Sequence, residues 1–245
     1  MSELKNAPLL EVIFELRWKS DTSEDLSLFE MMLGSIYNEL KECFPNIKQL
    51  RPDIQLPMNI FVNQPTHRFT SGNGKEYPLF QLGPGVLSIN TINSDYNWED
   101  FSAVIFKVLK VFLSKSGFSN DRIITTSLKY LDFYKLPLEN VDYLAQLNKK
   151  FNFNIEVGSA VPKDKKPILF NIESAYVTDI GLLNFSIKKG QVETKEGIIF
   201  ESGIQKNFRV DNFTKSFDKW ILRSHESLRD FFKDVTKGIT YDSFK

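Results

Sequence analysis

The chain has 245 residues, of which 42% are hydrophobic and 22 are phenylalanine, enough to fill a packed interior and to exclude general disorder. Lys+Arg and Asp+Glu balance at 31 each, so there is no whole-chain electrostatic bias toward nucleic acid or an anionic membrane. Cys43 is the only cysteine, which excludes an internal disulfide and a multi-thiolate metal site and suits a reducing compartment.

The first residues carry no apolar signal-peptide core, and no apolar run approaches the roughly 20 residues of a membrane span. The expectation is a soluble cytoplasmic protein with no membrane partner.

Asn6-Ala7-Pro8 leads into a strand over Leu9 to Trp18, with Val12, Phe14, Leu16 and Trp18 on one face and Glu11, Ile13, Glu15 and Arg17 on the other. Asp21, Thr22 or Ser23 caps a helix whose apolar stripe is Leu26, Phe29, Leu33, Ile36, Leu40 and Phe44. Cys43, beside that stripe, reads as a buried structural thiol. Pro52, Pro57 and Pro65 break up the segment from Ile47 to Thr66, leaving a short edge strand at Met58 to Val62.

Strands follow at His67 to Thr70 and Tyr77 to Leu82, around a Gly72-Asn73-Gly74 hairpin turn. Gly83-Pro84-Gly85 is the next turn and Val86 to Ile92 the next strand. Asn97 caps a second helix with Phe101, Ile105, Val108 and Phe112 on its stripe, widened by Val104 and Val111, and Gly117 ends it.

The order then repeats. A strand runs from Ile123 to Leu136 and a shorter helix covers Asn140 to Lys150. Strands are expected near Phe153–Val157, Ile168–Val177, Leu182–Lys188 and Ile198–Gln205, with turns at Thr178 to Gly181 and Gly190 to Gly197 and a charged loop at Lys163 to Lys166. The last helix starts near Asn212 or Thr214 and buries Phe217, Ile221, Ser224, Leu228, Phe231 and Val235.

Leu128-Lys129-Tyr130 echoes Leu16-Arg17-Trp18, which places Trp18 and Tyr130 at matching positions beneath the helices. The expectation is an α+β fold, a single domain over 1–245 built from two pseudo-repeats, 1–118 and 119–245. Duplicated β-α-β-β-β-α units would form a curved antiparallel sheet with helices on one face, an outline that the TATA-binding-protein-like and helix-grip folds share.

Three stretches carry a family likeness. They are Asn6-Ala7-Pro8-Leu9-Leu10-Glu11-Val12 with Phe14 to Trp18, Gln81 to Asn90 with Tyr96, Trp98 and Phe101, and Leu128-Lys129-Tyr130-Leu131-Asp132 with His225. Together they resemble a sporadically distributed prokaryotic family without an established activity. The resemblance implies a distribution common among mobile defence or toxin–antitoxin genes, and it supplies no catalytic residue.

The residue types that carry chemistry take structural readings in this sequence. His67 and His225 are too far apart in sequence for a helical metal pair. Gly72-Asn73-Gly74-Lys75 lacks the flanking residues of a phosphate loop, and a strand rather than a helix follows Gly83-Pro84-Gly85. Pro52-Asp53 with Glu193-Thr194-Lys195 makes a poor nuclease triad, since the acidic pair and the lysine are distant and the latter lies in a polar turn. No catalytic, cofactor-binding or metal-binding residue emerges, and the expected cofactor is none.

The candidate partner-binding residues are Glu11, Glu15 and Arg17 with Lys129 and Phe133, on the polar face of the two echoing strands, and His225 at the edge of the last helix's stripe. Charges of both signs beside an aromatic suit a protein partner, for instance the product of a neighbouring gene. The neutral composition does not favour nucleic acid. The expected function is a non-enzymatic binding or regulatory protein, such as an antitoxin or an accessory subunit of a prokaryotic defence system. The alternative is a hydrolase of nucleotides or nucleic acid whose carboxylates meet only in the fold.

Overall fold

The computed structural model describes residues 6–51, 56–72, 76–136, 143–156 and 169–244. The chain is α+β: β1 Leu9–Trp18, α1 Ser23–Leu40, β2 Asn46–Gln49, β3 His67–Thr70, β4 Leu79–Gly83, β5 Val86–Ile92, α2 Trp98–Lys115, β6 Ile123–Lys135, α3 Tyr143–Lys150, β7 Asn171–Val177, β8 Leu182–Val192, β9 Lys195–Arg209, α4 Val210–Val235 and α5 Ile239–Asp242. The strands form one antiparallel sheet in the order β2-β3-β4-β5-β1-β6-β9-β8-β7. Read outward from the β1–β6 pair, β1 is followed by β5, β4, β3 and β2, and β6 by β9, β8 and β7.

Two compact units divide the residues: Glu11–Lys129 with Gln205–Trp220, and Met1–Leu10 with Tyr130–Ile204 and Ile221–Lys245. In the first, Val12, Phe14, Leu16 and Trp18 of β1 are buried on one face while Glu11, Ile13, Glu15 and Arg17 keep partial exposure on the other. Period-two alternation of apolar side chains fixes this orientation, because a shift of one residue would turn Val12, Phe14, Leu16 and Trp18 to water. Thr22 caps α1 through a capping box with Asp25, each side chain bonding the other residue's backbone N–H. Its stripe buries Phe29, Met32, Ile36 and Leu40, and that of α2 buries Phe101, Ile105, Val108, Leu109 and Phe112. Trp18 packs against Phe112 and Phe118 with ring centroids 5.1 and 5.5 Å away. Phe14 meets Phe217 edge-on at 5.5 Å. Each such side chain contributes about 1.5–3 kcal/mol by leaving water.

In the second unit the core gathers Tyr134, Leu136, Leu147, Phe151, Phe170, Ile187, Ile198, Phe200 and Phe244. Leu228 of α4 is buried as well, and Phe231 and Val235 pack against that core. Here Tyr130 reaches the helical side as expected from its parity, though it is half-buried where Trp18 is buried.

Several local expectations are corrected. Met58–Phe61 is a 3-10 turn and not an edge strand, with Ile60 N–H bonded to the Pro57 carbonyl. Strand β2 takes the sheet edge instead, pairing Asn46 to Gln49 with Thr70 to His67. Residues 153–156 are not a strand, because the Asn148 side chain holds both the N–H and the carbonyl of Ile155. Gly190 and Gly197 lie inside β8 and β9, and the turn shrinks to Glu193-Thr194, with Glu193 at φ 54°. A Cβ at Gly190 would press on Ile199 and one at Gly197 on the Tyr134 carbonyl, so both glycines permit close packing rather than turning. The helix expected to be the last is α4, which starts at Val210, earlier than Asn212 or Thr214, and the short α5 follows it. The Gly72-Asn73-Gly74 turn, Pro52-Asp53 and the Lys163 to Lys166 loop fall wholly or partly outside the described residues. Cys43 is half-buried, and the Lys107 ammonium sits 2.6 Å from its Sγ.

Candidate functional site

Strand parity puts Glu15 and Arg17 on the same face of β1, two residues apart, and the first unit brings Lys129 to them. Arg17 donates from Nε and Nη2 to the two Glu15 carboxylate oxygens at 2.7 and 2.9 Å, a bidentate fork. Its Nη1 donates to the Asn63 carbonyl at 3.2 Å, which anchors the guanidinium. Lys129 Nζ stands 3.7 Å from Glu15 Oε1. Burial disfavours the Glu15 charge, but the Arg17 hydrogen bond and the Lys129 and Arg17 charges outweigh it and hold the carboxyl below the usual carboxylate range. The Arg17 pKa is raised in turn, chiefly by its bond to Glu15. The Arg17 side chain is 41% exposed and Lys129 33%, against 16% for Glu15. Two cations therefore rise to the surface over one shielded carboxylate.

Glu11 lies farther along the same face and accepts from Asn90 Nδ2 at 2.7 Å. Register explains the meeting: Ile13 stands opposite Asn90, so Glu11 reaches it diagonally. Asn90 is buried, and its Oδ1 has no partner among the described residues. The Tyr77 hydroxyl is pushed up by burial and by the Glu11 and Glu76 charges.

Phe133 and His225 belong to the second unit. Phe133 is half-buried and lies where a Cβ at Gly197 would strike its ring. His225 is on α4 and its Nδ1 lies 2.7 Å from the Tyr130 hydroxyl. Tyr130 has core parity on β6, so this contact lies on the opposite side of the strand from Phe133.

The list drawn from the sequence missed Asp132. It shares parity with Leu128, Tyr130 and Tyr134, is 4% exposed, and burial raises its pKa to about 7. Burial followed by the Asp132 charge raises that of Tyr134, whose hydroxyl is buried without a partner among the described residues. The signal was in the pattern, since a carboxylate at core parity in an otherwise apolar strand face is a desolvated one.

Among the described residues no group of three or more His, Cys, Asp and Glu side chains could hold a metal ion. No helix of the described residues is long and apolar enough to cross a membrane. Comparison with protein-family models, with curated proteins and with solved structures found no match to this chain.

Proposed function

We propose that the chain is a non-enzymatic binding or regulatory protein that engages a protein partner through the polar face of β1 and β6 in its first unit. The observation that carries the reading is the Arg17–Glu15–Lys129 cluster. The Glu15 carboxylate orients both cations while leaving them partly accessible, and a partly exposed pair of oriented cations suits a carboxylate on a partner. Preorganisation lowers the entropy lost on binding. The resemblance to a sporadically distributed prokaryotic family adds the biological setting, an antitoxin or an accessory subunit of a defence system. The partner is then the product of a neighbouring gene. The parallel strand order of residues 1–118 and 119–245 supports an origin by internal duplication.

Pull-down of the neighbouring gene product with wild type and with Arg17→Glu/Lys129→Glu tests the reading. Loss of recovery by the folded double variant is expected. Equal recovery excludes this face as the interface.

A second reading, a hydrolase of nucleotides or nucleic acid, draws on Asp132, a buried carboxyl that titrates near neutrality beside Tyr134. Turnover by the purified chain alone, abolished in Asp132→Asn with the fold retained, would establish it.

A further inference from the structure

The two ends of the sheet are treated differently. Strand β2 is four residues long, with each residue exposed, and carries Lys48; a short edge and a lysine discourage edge-to-edge pairing. Strand β7, the other end of the order, has seven residues, contains no lysine, arginine or proline, and pairs with β8 in continuous register from Asn171–Lys188 to Val177–Leu182. Leu169 just before it is 79% exposed, Val177 91% and Tyr176 54%. A long regular edge with exposed apolar side chains is a template for another strand.

The register shows which backbone groups that edge offers. The N–H of Thr178 bonds the Gly181 carbonyl and that of Lys189 bonds the Phe170 carbonyl, so the even-numbered positions of β7 face β8. In an antiparallel ladder the alternate residues point their N–H and C=O the other way. Asn171, Glu173, Ala175 and Val177 therefore direct theirs to the open edge.

We propose that β7 pairs antiparallel with β7 of a second copy of this chain, about a two-fold axis at Ser174. That register sets Asn171 opposite Val177 and Glu173 opposite Ala175, so every outward residue of the strand meets an outward residue of the other copy. Glu173, the only charged residue in the strand, meets the small Ala175 and leaves no like charges opposed. A shift of two residues one way sets Glu173 against itself, and a shift the other way leaves Asn171 outside the overlap. The same register brings Leu169 of one copy diagonal to Val177 of the other and Ile172 opposite Tyr176, which covers the exposed apolar side chains. An isologous contact of this kind is self-complementary and closes at two chains.

Sedimentation equilibrium of the full chain, from low to high micromolar concentration, tests the proposal. Wild type is expected to dimerise reversibly. Ala175→Glu, which faces Glu173 across the axis, is expected to weaken dimerisation about tenfold or more, and Ala175→Lys to leave it unchanged or tighter. The double variant Glu173→Lys/Ala175→Glu restores opposite charges and is expected to recover the dimer. Both positions are exposed, and far-ultraviolet circular dichroism confirms that each variant is folded. A wild type that stays monomeric throughout overturns the proposal. So does equal behaviour of Ala175→Glu and Ala175→Lys, or a dimer that the double variant does not recover.

Discussion

The Tyr130 hydroxyl and Nδ1 of His225 lie 2.7 Å apart, joining β6 to α4 within the second unit. A tyrosine at core parity needs a partner for its hydroxyl, and a histidine at the margin of an apolar stripe supplies one. Tyr130→Phe removes the bond and leaves the imidazole half-exposed, where water can replace it. The expected loss is about 0.5–1.5 kcal/mol in denaturant melts. His225→Leu removes the same bond from the other side and is expected to cost a comparable amount. Equal stability of both variants and wild type would show the contact to be energetically neutral.

Trp18 is the anchor of the first unit, buried against Phe112 and Phe118. Trp18→Ala removes a large buried ring and is expected to destabilise by roughly 3–5 kcal/mol. A loss below about 1 kcal/mol in the same melts would contradict the packing described.

Asp132 makes stability depend on pH in a direction opposite to that of an ion-paired carboxylate. Its folded pKa is raised to about 7, above the ordinary carboxylate value of the unfolded chain. Between about pH 4 and pH 7 the unfolded chain releases the proton and the folded one keeps it, so stability falls as pH rises. The penalty is absent below that window and complete above it, on the order of 4 kcal/mol. Asp132→Asn carries an uncharged amide at every pH and is expected to flatten that slope. Urea melts at pH 4.5 and pH 8, chosen as about the ends of the window, measure it. A slope unchanged by the substitution would place the titration elsewhere.

The Tyr134 hydroxyl is buried with no partner among the described residues, while its ring packs edge-on against Phe151 at 4.7 Å. Tyr134→Phe keeps the ring and removes the orphaned polar group. An increase of about 1 kcal/mol in stability is expected. A decrease would reveal a partner for the hydroxyl.

Gly83 shows how a turn signal can conceal a packing demand. Its Cα lies so close to the Gln64 main-chain carbonyl that a Cβ would overlap it. Gly83→Ala must move one segment or the other, and a loss of about 2 kcal/mol or more in thermal melts is expected.

The sequence by itself determined the periodic elements and their faces. Val12 to Trp18, the stripe from Phe29 to Leu40, and Phe217 to Leu228 follow from side-chain period alone, because an apolar face must leave water whatever it packs against. It also held the parity of Glu15, Arg17 and Lys129, so the polar face was legible before any contact was known. Tertiary structure decided the rest. Proline and glycine mark interruptions without stating what fills them, so Met58–Phe61 became a 3-10 turn, and Gly190 and Gly197 became strand positions that admit Ile199 and the Tyr134 carbonyl. Residues 153–156 lost their strand to the Asn148 side chain, a bond that propensity cannot foresee. The approach of Lys129 to Glu15, of Glu11 to Asn90 and of Tyr130 to His225 required strands and helices distant in sequence to meet, whereas Glu15 and Arg17 are neighbours on one face of β1. Alternation tells which side of a strand a residue occupies, but only the register between strands tells which residue it finds there.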